Sequence, residues 1–132
     1  MYLLDTNACI QFLRDPGSAV SHRLSAVSEG EVALCTVVKA ELYYGARRSA
    51  DPDHSIQVLE ALFGSLVSLP FDDLAAEIYG RIRAYLAQEG QLIGPNDLLI
   101  AATALAHGAT LVTHNTREFA RVPDLKLEDW EA

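Results

Sequence analysis

The chain has 132 residues, half of them hydrophobic, and a formal net charge of −8. That length suits one domain, able to bury roughly 65–70% of the surface its unfolded chain exposes, and the composition argues against disorder. The acidic balance argues against wholesale electrostatic attraction to nucleic acid and favours a basic partner.

Tyr2-Leu3-Leu4 reads as a short buried strand that ends at Asp5. Cys9 to Arg14 has helical spacing, and Asp15-Pro16-Gly17 interrupts it. A second helix is predicted from Ser18 to Ser28, capped by Ser18, and Glu29-Gly30 turns the chain. Val32 to Cys35 is a second apolar strand, after which Thr36 is expected to cap a helix from Val37 to about Ser49. A loop over Ala50 to Asp53 leads to a helix ending near Phe63, and Leu66 to Leu69 forms a third strand stopped by Pro70. Asp72 to Gln88 is a long amphipathic helix, with Leu74, Ile78, Ile82, Tyr85 and Leu86 on the apolar face.

Asn96 is expected to cap the next helix, Asp97 to His107, which Gly108 terminates. That helix is apolar almost all round and should be central. Thr110 to Thr113 is a fourth strand, a short helix follows near Arg117 to Ala120, and Leu125-Lys126-Leu127 is a candidate edge strand. The acidic end, Glu128 to Glu131, reads as solvated surface. Strands alternating with helices imply a parallel sheet of four to five strands flanked by helices.

Cys9 and Cys35 sit among apolar neighbours outside any CxxC and are expected as buried thiols in a reducing cytoplasm. The N-terminus lacks a basic segment. The longest apolar stretch, Leu98 to Ala106, is far short of the ~20 residues that span a bilayer, so a soluble cytoplasmic protein with no membrane contact is expected.

Three acids stand out. Asp5 closes the first strand, where open α/β sheets place their ligands, but it can equally cap a helix starting at Thr6 or Asn7. Glu41 has Val37, Val38, Tyr44 and Gly45 as its helical neighbours and no local base. Such an acid either reaches solvent or needs another partner. Asp97 stands in a first turn, where the helix dipole alone would favour it, and Ile100 and Ala101 are its neighbours one turn on. In a parallel sheet all three gather at one rim. Converging carboxylates need a counter-charge, and their oxygens suit Mg²⁺ or Mn²⁺ better than zinc. Two such ions about 3.5–4 Å apart can activate a water for phosphodiester cleavage. The four histidines lack zinc-ligand spacing. His114, near the expected rim, is a candidate substrate contact, and Arg117 can meet a phosphate or pair with neighbouring acids.

The chain resembles the PIN-domain ribonucleases, and within them the VapC toxins of bacterial toxin–antitoxin pairs. The marks are Leu3-Leu4-Asp5-Thr6-Asn7, then Thr36 through Glu41 to Gly45, Ile93 through Asp97 to Ala102, and Leu111 through Thr113 and Asn115 to Phe119, followed by Val122-Pro123 and Leu127 to Trp130. They span nearly the whole chain in family-like order. The resemblance implies a single PIN domain over residues 1–132 with a three-layer α/β fold. It implies a Mg²⁺-dependent endoribonuclease (Mn²⁺ as an alternative) that leaves 5′-phosphate and 3′-hydroxyl ends. Asp5, Glu41 and Asp97 match the acidic metal ligands of the family, and Thr6 matches a hydroxyl that helps position water. Many members carry a further aspartate in a Thr-x-Asp pattern. This chain has Thr113 in support and Asn115 in the aspartate's place, an amide whose carbonyl can coordinate but brings no charge.

The ending is similar to that of VapC proteins that cut initiator tRNA in the anticodon loop. The resemblance also implies a homodimer, a larger assembly with a VapB-type antitoxin that inserts an arginine into the acidic site, and DNA contact only through that antitoxin. Two other readings compete. A haloacid-dehalogenase-type phosphatase would use Asp5 as nucleophile but wants a second acid where Asn7 stands. A catalytically degraded PIN module would only bind a partner.

Overall fold

The computed structural model describes residues 1–131. Five strands, β1 (Tyr2–Leu4), β2 (Val32–Cys35), β3 (Val67–Leu69), β4 (Thr110–Val112) and β5 (Leu127–Glu128), form one sheet in the order β3-β2-β1-β4-β5. Every pairing is parallel, with Leu3 opposite Ala33 on one side and Leu111 on the other. Strands this short carry no alternation because both faces are covered. Leu3, Leu4, all of β2, Leu111 and Val112 are buried.

The connections are α1 (Thr6–Arg14), α2 (Ala19–Ala26), α3 (Thr36–Arg47), α4 (Pro52–Ser65), α5 (Asp73–Gln88), α6 (Pro95–Ala106) and α7 (Thr116–Phe119). The chain lays down β1, β2 and β3 in one direction, then returns past β1 to place β4 and β5 on its other side. Right-handed crossovers put the helices of the two halves on opposite faces, giving helix, sheet and helix layers. Adjacent strands β1 and β4 belong to the two halves, so the sheet's switch point opens between their carboxyl ends. Helix α6 is the central helix expected from its composition, with Leu98 and Ile100 to Ala104 buried. Gly108, at φ 62°, makes the left-handed turn that feeds β4.

Several local expectations are corrected. Helix α3 begins at Thr36 with Cys35 as its cap residue, and the Thr36 hydroxyl instead accepts from the Phe71 amide at 3.3 Å, tying α3 to the end of β3. Helix α6 begins at Pro95 behind Gly94, so Asn96 lies inside the helix. Proline at the first helical position loses no hydrogen bond there, which is why it displaces Asn96 as the start. Leu74 and Tyr85, assigned to the apolar face of α5, are exposed, and Ala75, Ile82 and Leu86 carry its burial.

The last strand lies at 127–128 rather than 125–127, and the chain end is not solvated surface. Trp130 is buried, packs edge-on against Tyr2 at 5.3 Å, and donates its indole N–H to Glu128 at 3.0 Å. The Arg23 guanidinium lies over the same ring and bridges Glu128 at 3.1 Å. Cys9 and Cys35 are buried free thiols, as expected. No helix among the described residues is long and apolar enough to cross a membrane. Truncation of so buried a ring removes both its packing and its hold on the chain end. Trp130→Ala is expected to cost about 3–5 kcal/mol, read from urea midpoints. A loss below about 1 kcal/mol, the range of exposed positions, would show that the end is only loosely attached.

Candidate active site

Asp5 sits where β1 becomes α1, astride the switch point. Its amide donates to Val112 of β4 at 3.0 Å, and its carboxylate accepts from the Ala8 amide at 2.8 Å. Asp5 therefore does cap α1, and the cap holds the carboxylate at the rim, so the two readings of this residue describe one geometry. Burial drives its pKa upward, while the Thr113 hydroxyl and the Ala8 amide favour ionisation and the charges of Glu131 and Glu41 oppose it. The residue is nearly inaccessible, at 6% exposure, yet among the described residues it pairs with no base.

Glu41 is brought in by the second turn of α3. It accepts from the Thr6 hydroxyl at 2.7 Å, a bond that links the start of α1 to α3 across 35 residues. Thr6 thus orients the Glu41 carboxylate. Asp97 comes from the first turn of α6 and is half-buried. Its pKa is pushed up to about 6, first by burial, then by the like charges of Glu118, Glu41 and Asp5. Those couplings place the three expected acids in one electrostatic neighbourhood. They do not close into a tight cage: among the described residues, His114, Asp129 and Glu131 are the group of three whose donor atoms all lie within 4.8 Å of one another.

The fourth position departs from expectation. Asn115 is exposed, and its amide nitrogen donates to Glu118 at 2.8 Å while its backbone N–H donates to the Thr113 hydroxyl at 3.0 Å. A carboxylate only accepts, so the amide must face it with its nitrogen, and its carbonyl points elsewhere. Glu118 is the acid here. It also accepts from the Gly94 amide at 3.1 Å, directly before α6, and the two donors hold it below the usual carboxylate range. An ionised Glu118 against Asp97 is the largest like-charge influence on that residue. The signal in the sequence was an acid three residues beyond Asn115, at the spacing of one helical turn.

Thr113 is buried at the end of β4. Arg117 is exposed and makes no ion pair among the described residues. His114 is exposed and turned to Asp129, at 3.1 Å. None of Asp5, Glu41, Asp97 and Glu118 lies within 4.0 Å of a Lys, Arg or His nitrogen among the described residues. Arg121 favours the Glu118 charge only from beyond ion-pair distance, and this all-oxygen donor set fits a hard divalent cation and offers nothing to a soft one.

The profile of the PIN domain family matches residues 2–125. Over 98% of this chain and 97% of the other protein, the chain is 39% identical to the tRNA(fMet)-specific endonuclease VapC of Shigella flexneri. Among solved structures it is similar to VapBC2 from Rickettsia felis bound to a promoter DNA fragment, with TM-score 0.91 and 36% identity over 98% of both chains. It is also similar to DNA-bound VapBC from Salmonella typhimurium, with TM-score 0.92 and 36% identity over 98% and 97% of the two chains.

A proton that the folded state holds more tightly than the unfolded chain makes stability fall as pH rises. For Asp97, with a pKa raised from 3.8 to about 6, the contribution is fully favourable below about pH 4 and is lost through about pH 6. Asp97→Asn is therefore expected to stabilise the protein in EDTA at about pH 7.5 by about 1 kcal/mol, the full ~3 kcal/mol of such a shift being cut by solvent screening. At about pH 4 the gain should nearly vanish. Urea unfolding at the two pH values checks this, and no gain at the higher pH would contradict like-charge crowding.

Proposed function

Since this chain belongs to the PIN-domain family, we propose that it is the toxin of a VapBC-type toxin–antitoxin pair, acting as a metal-dependent endoribonuclease. The observation that carries this reading is the meeting of Asp5, Glu41, Asp97 and Glu118 at the switch point of a parallel sheet, none of them in an ion pair among the described residues. The relatives that match over the whole chain are named ribonucleases, one of them specific for tRNA(fMet). Nuclease activity is the reading they support, and initiator tRNA cut in the anticodon loop is the substrate we assign.

Asp5, Asp97 and Glu118 would hold Mg²⁺ or Mn²⁺, with Glu41 alongside. When bound, such an ion supplies the Lewis acidity that lowers the pKa of an attacking water and offsets charge on the phosphoryl oxygens. The residues of the chain do the positioning. The Ala8 amide and Thr113 orient Asp5 and favour its ionised form against the burial that opposes it, Thr6 aims Glu41, and Asn115 with the Gly94 amide aims Glu118. Arg117, exposed and in no ion pair among the described residues, follows β4 at the same end of the sheet and would receive a substrate phosphate. In-line attack by water on phosphorus would break the bond to the 3′-oxygen, leaving 5′-phosphate and 3′-hydroxyl ends.

A net charge of −8 and an acidic rim also suit a basic inhibitory segment, so a VapB-type antitoxin, a homodimer of toxins and DNA contact through the antitoxin complete the assignment. The cytoplasm is the compartment that such a partner and an RNA substrate require.

Asp5→Asn and Asp97→Asn are each expected to lower RNA cleavage on the order of a hundredfold or more, with circular dichroism unchanged. EDTA should abolish cleavage and Mg²⁺ restore it. Ends mapped in total RNA after brief expression, against Asp5→Asn, identify the target. Undiminished cleavage by both variants would rule the scheme out, and no cleavage by the parent protein would favour a binding module.

A further inference from the structure

Beside the acidic rim, the carboxyl ends of β4 and β5 carry a second set of donors of different chemistry. His114 follows β4, and Asp129 and Glu131 follow β5, its parallel neighbour in the sheet. Trp130 between them is buried at a bend of the chain, and the Glu131 amide folds back onto Asp129, which brings the two flanking acids together. We propose that His114, Asp129 and Glu131 form a separate site for a Zn²⁺-class transition ion.

One donor atom from each residue lies within 4.8 Å of the other two. His114 Nδ1 and Asp129 Oδ2 are 3.1 Å apart, about the spacing of two adjacent ligands each ~2.0–2.1 Å from one ion. The second oxygen of Asp129 accepts from the Glu131 amide at 2.9 Å, which fixes the carboxylate and leaves Oδ2 for the ion. Neither acid has a Lys or Arg within 4.0 Å among the described residues. The support is rigid, because Arg23, Glu128 and Tyr2 hold Trp130 in place.

An imidazole nitrogen with two carboxylates selects a borderline ion over Mg²⁺, whereas the rim beside it offers oxygen alone. Three protein ligands leave a fourth position for water.

The test uses Asp5→Asn/Asp97→Asn protein, which lacks two of the nuclease carboxylates and so separates this site from the catalytic reading. Calorimetric titration with Zn²⁺ in excess Mg²⁺ should show one equivalent bound, and Co²⁺ should give visible d–d absorption. His114→Ala and Glu131→Gln should each weaken binding by at least about tenfold, with circular dichroism unchanged. Absence of a Zn²⁺ isotherm, or one that survives both substitutions, would overturn the proposal and leave His114 and Asp129 as a hydrogen-bonded pair.

Discussion

Like charge concentrated at one end of a parallel sheet is the constraint around which this molecule is arranged. At the switch point the carboxyl ends of β1 and β4 stay paired while the connections that follow them part, and Asp5 is fixed there as the cap of its own helix. A helix N-terminus tolerates one carboxylate. It does not neutralise four. Asp97 shows the cost, since its proton is retained well above the usual carboxylate range, first because it is half-buried and then because the charges of Glu118, Glu41 and Asp5 oppose its ionisation. Stability is conceded at the site where a cation or a basic partner would be welcomed, a distribution seen where function requires strain.

The acids are held apart from free motion by neutral donors. Thr6, Asn115 and the amides of Ala8 and Gly94 each give a hydrogen bond to one carboxylate. Neutral donors orient an anion without cancelling its charge, whereas an arginine would do both. The rim therefore stays electronegative and geometrically defined. The buried chain end extends the same logic. Trp130 anchors it, Arg23 caps the ring from α2, and the flanking carboxylates are delivered to the edge of the site.

Much of this was legible in the residues. The apolar runs of β1, β2 and β4 bounded by turn residues, and the uniformly apolar α6, give the order of elements. The isolation of Asp5, Glu41 and Asp97 from any base marks the rim. What was hidden depends on contacts between distant segments. Thr36 and Asn96 are good capping residues by type, but Pro95 and the Phe71 amide decide where α3 and α6 begin and what Thr36 binds. Glu118 was overshadowed by Asn115, which occupies the family's acidic position. Only the fold shows that the amide faces Glu118 and that Gly94 completes the clasp. Trp130 was masked by acidic neighbours, because alternation along a two-residue strand is too short a pattern to read.

The most direct test of the central claim is an anomalous difference map from crystals of the protein soaked in Mn²⁺. The account predicts a strong peak coordinated by Asp5 and Asp97, with Glu118 in or next to the coordination shell. A rim without manganese, its carboxylates paired among themselves through shared protons, would contradict it.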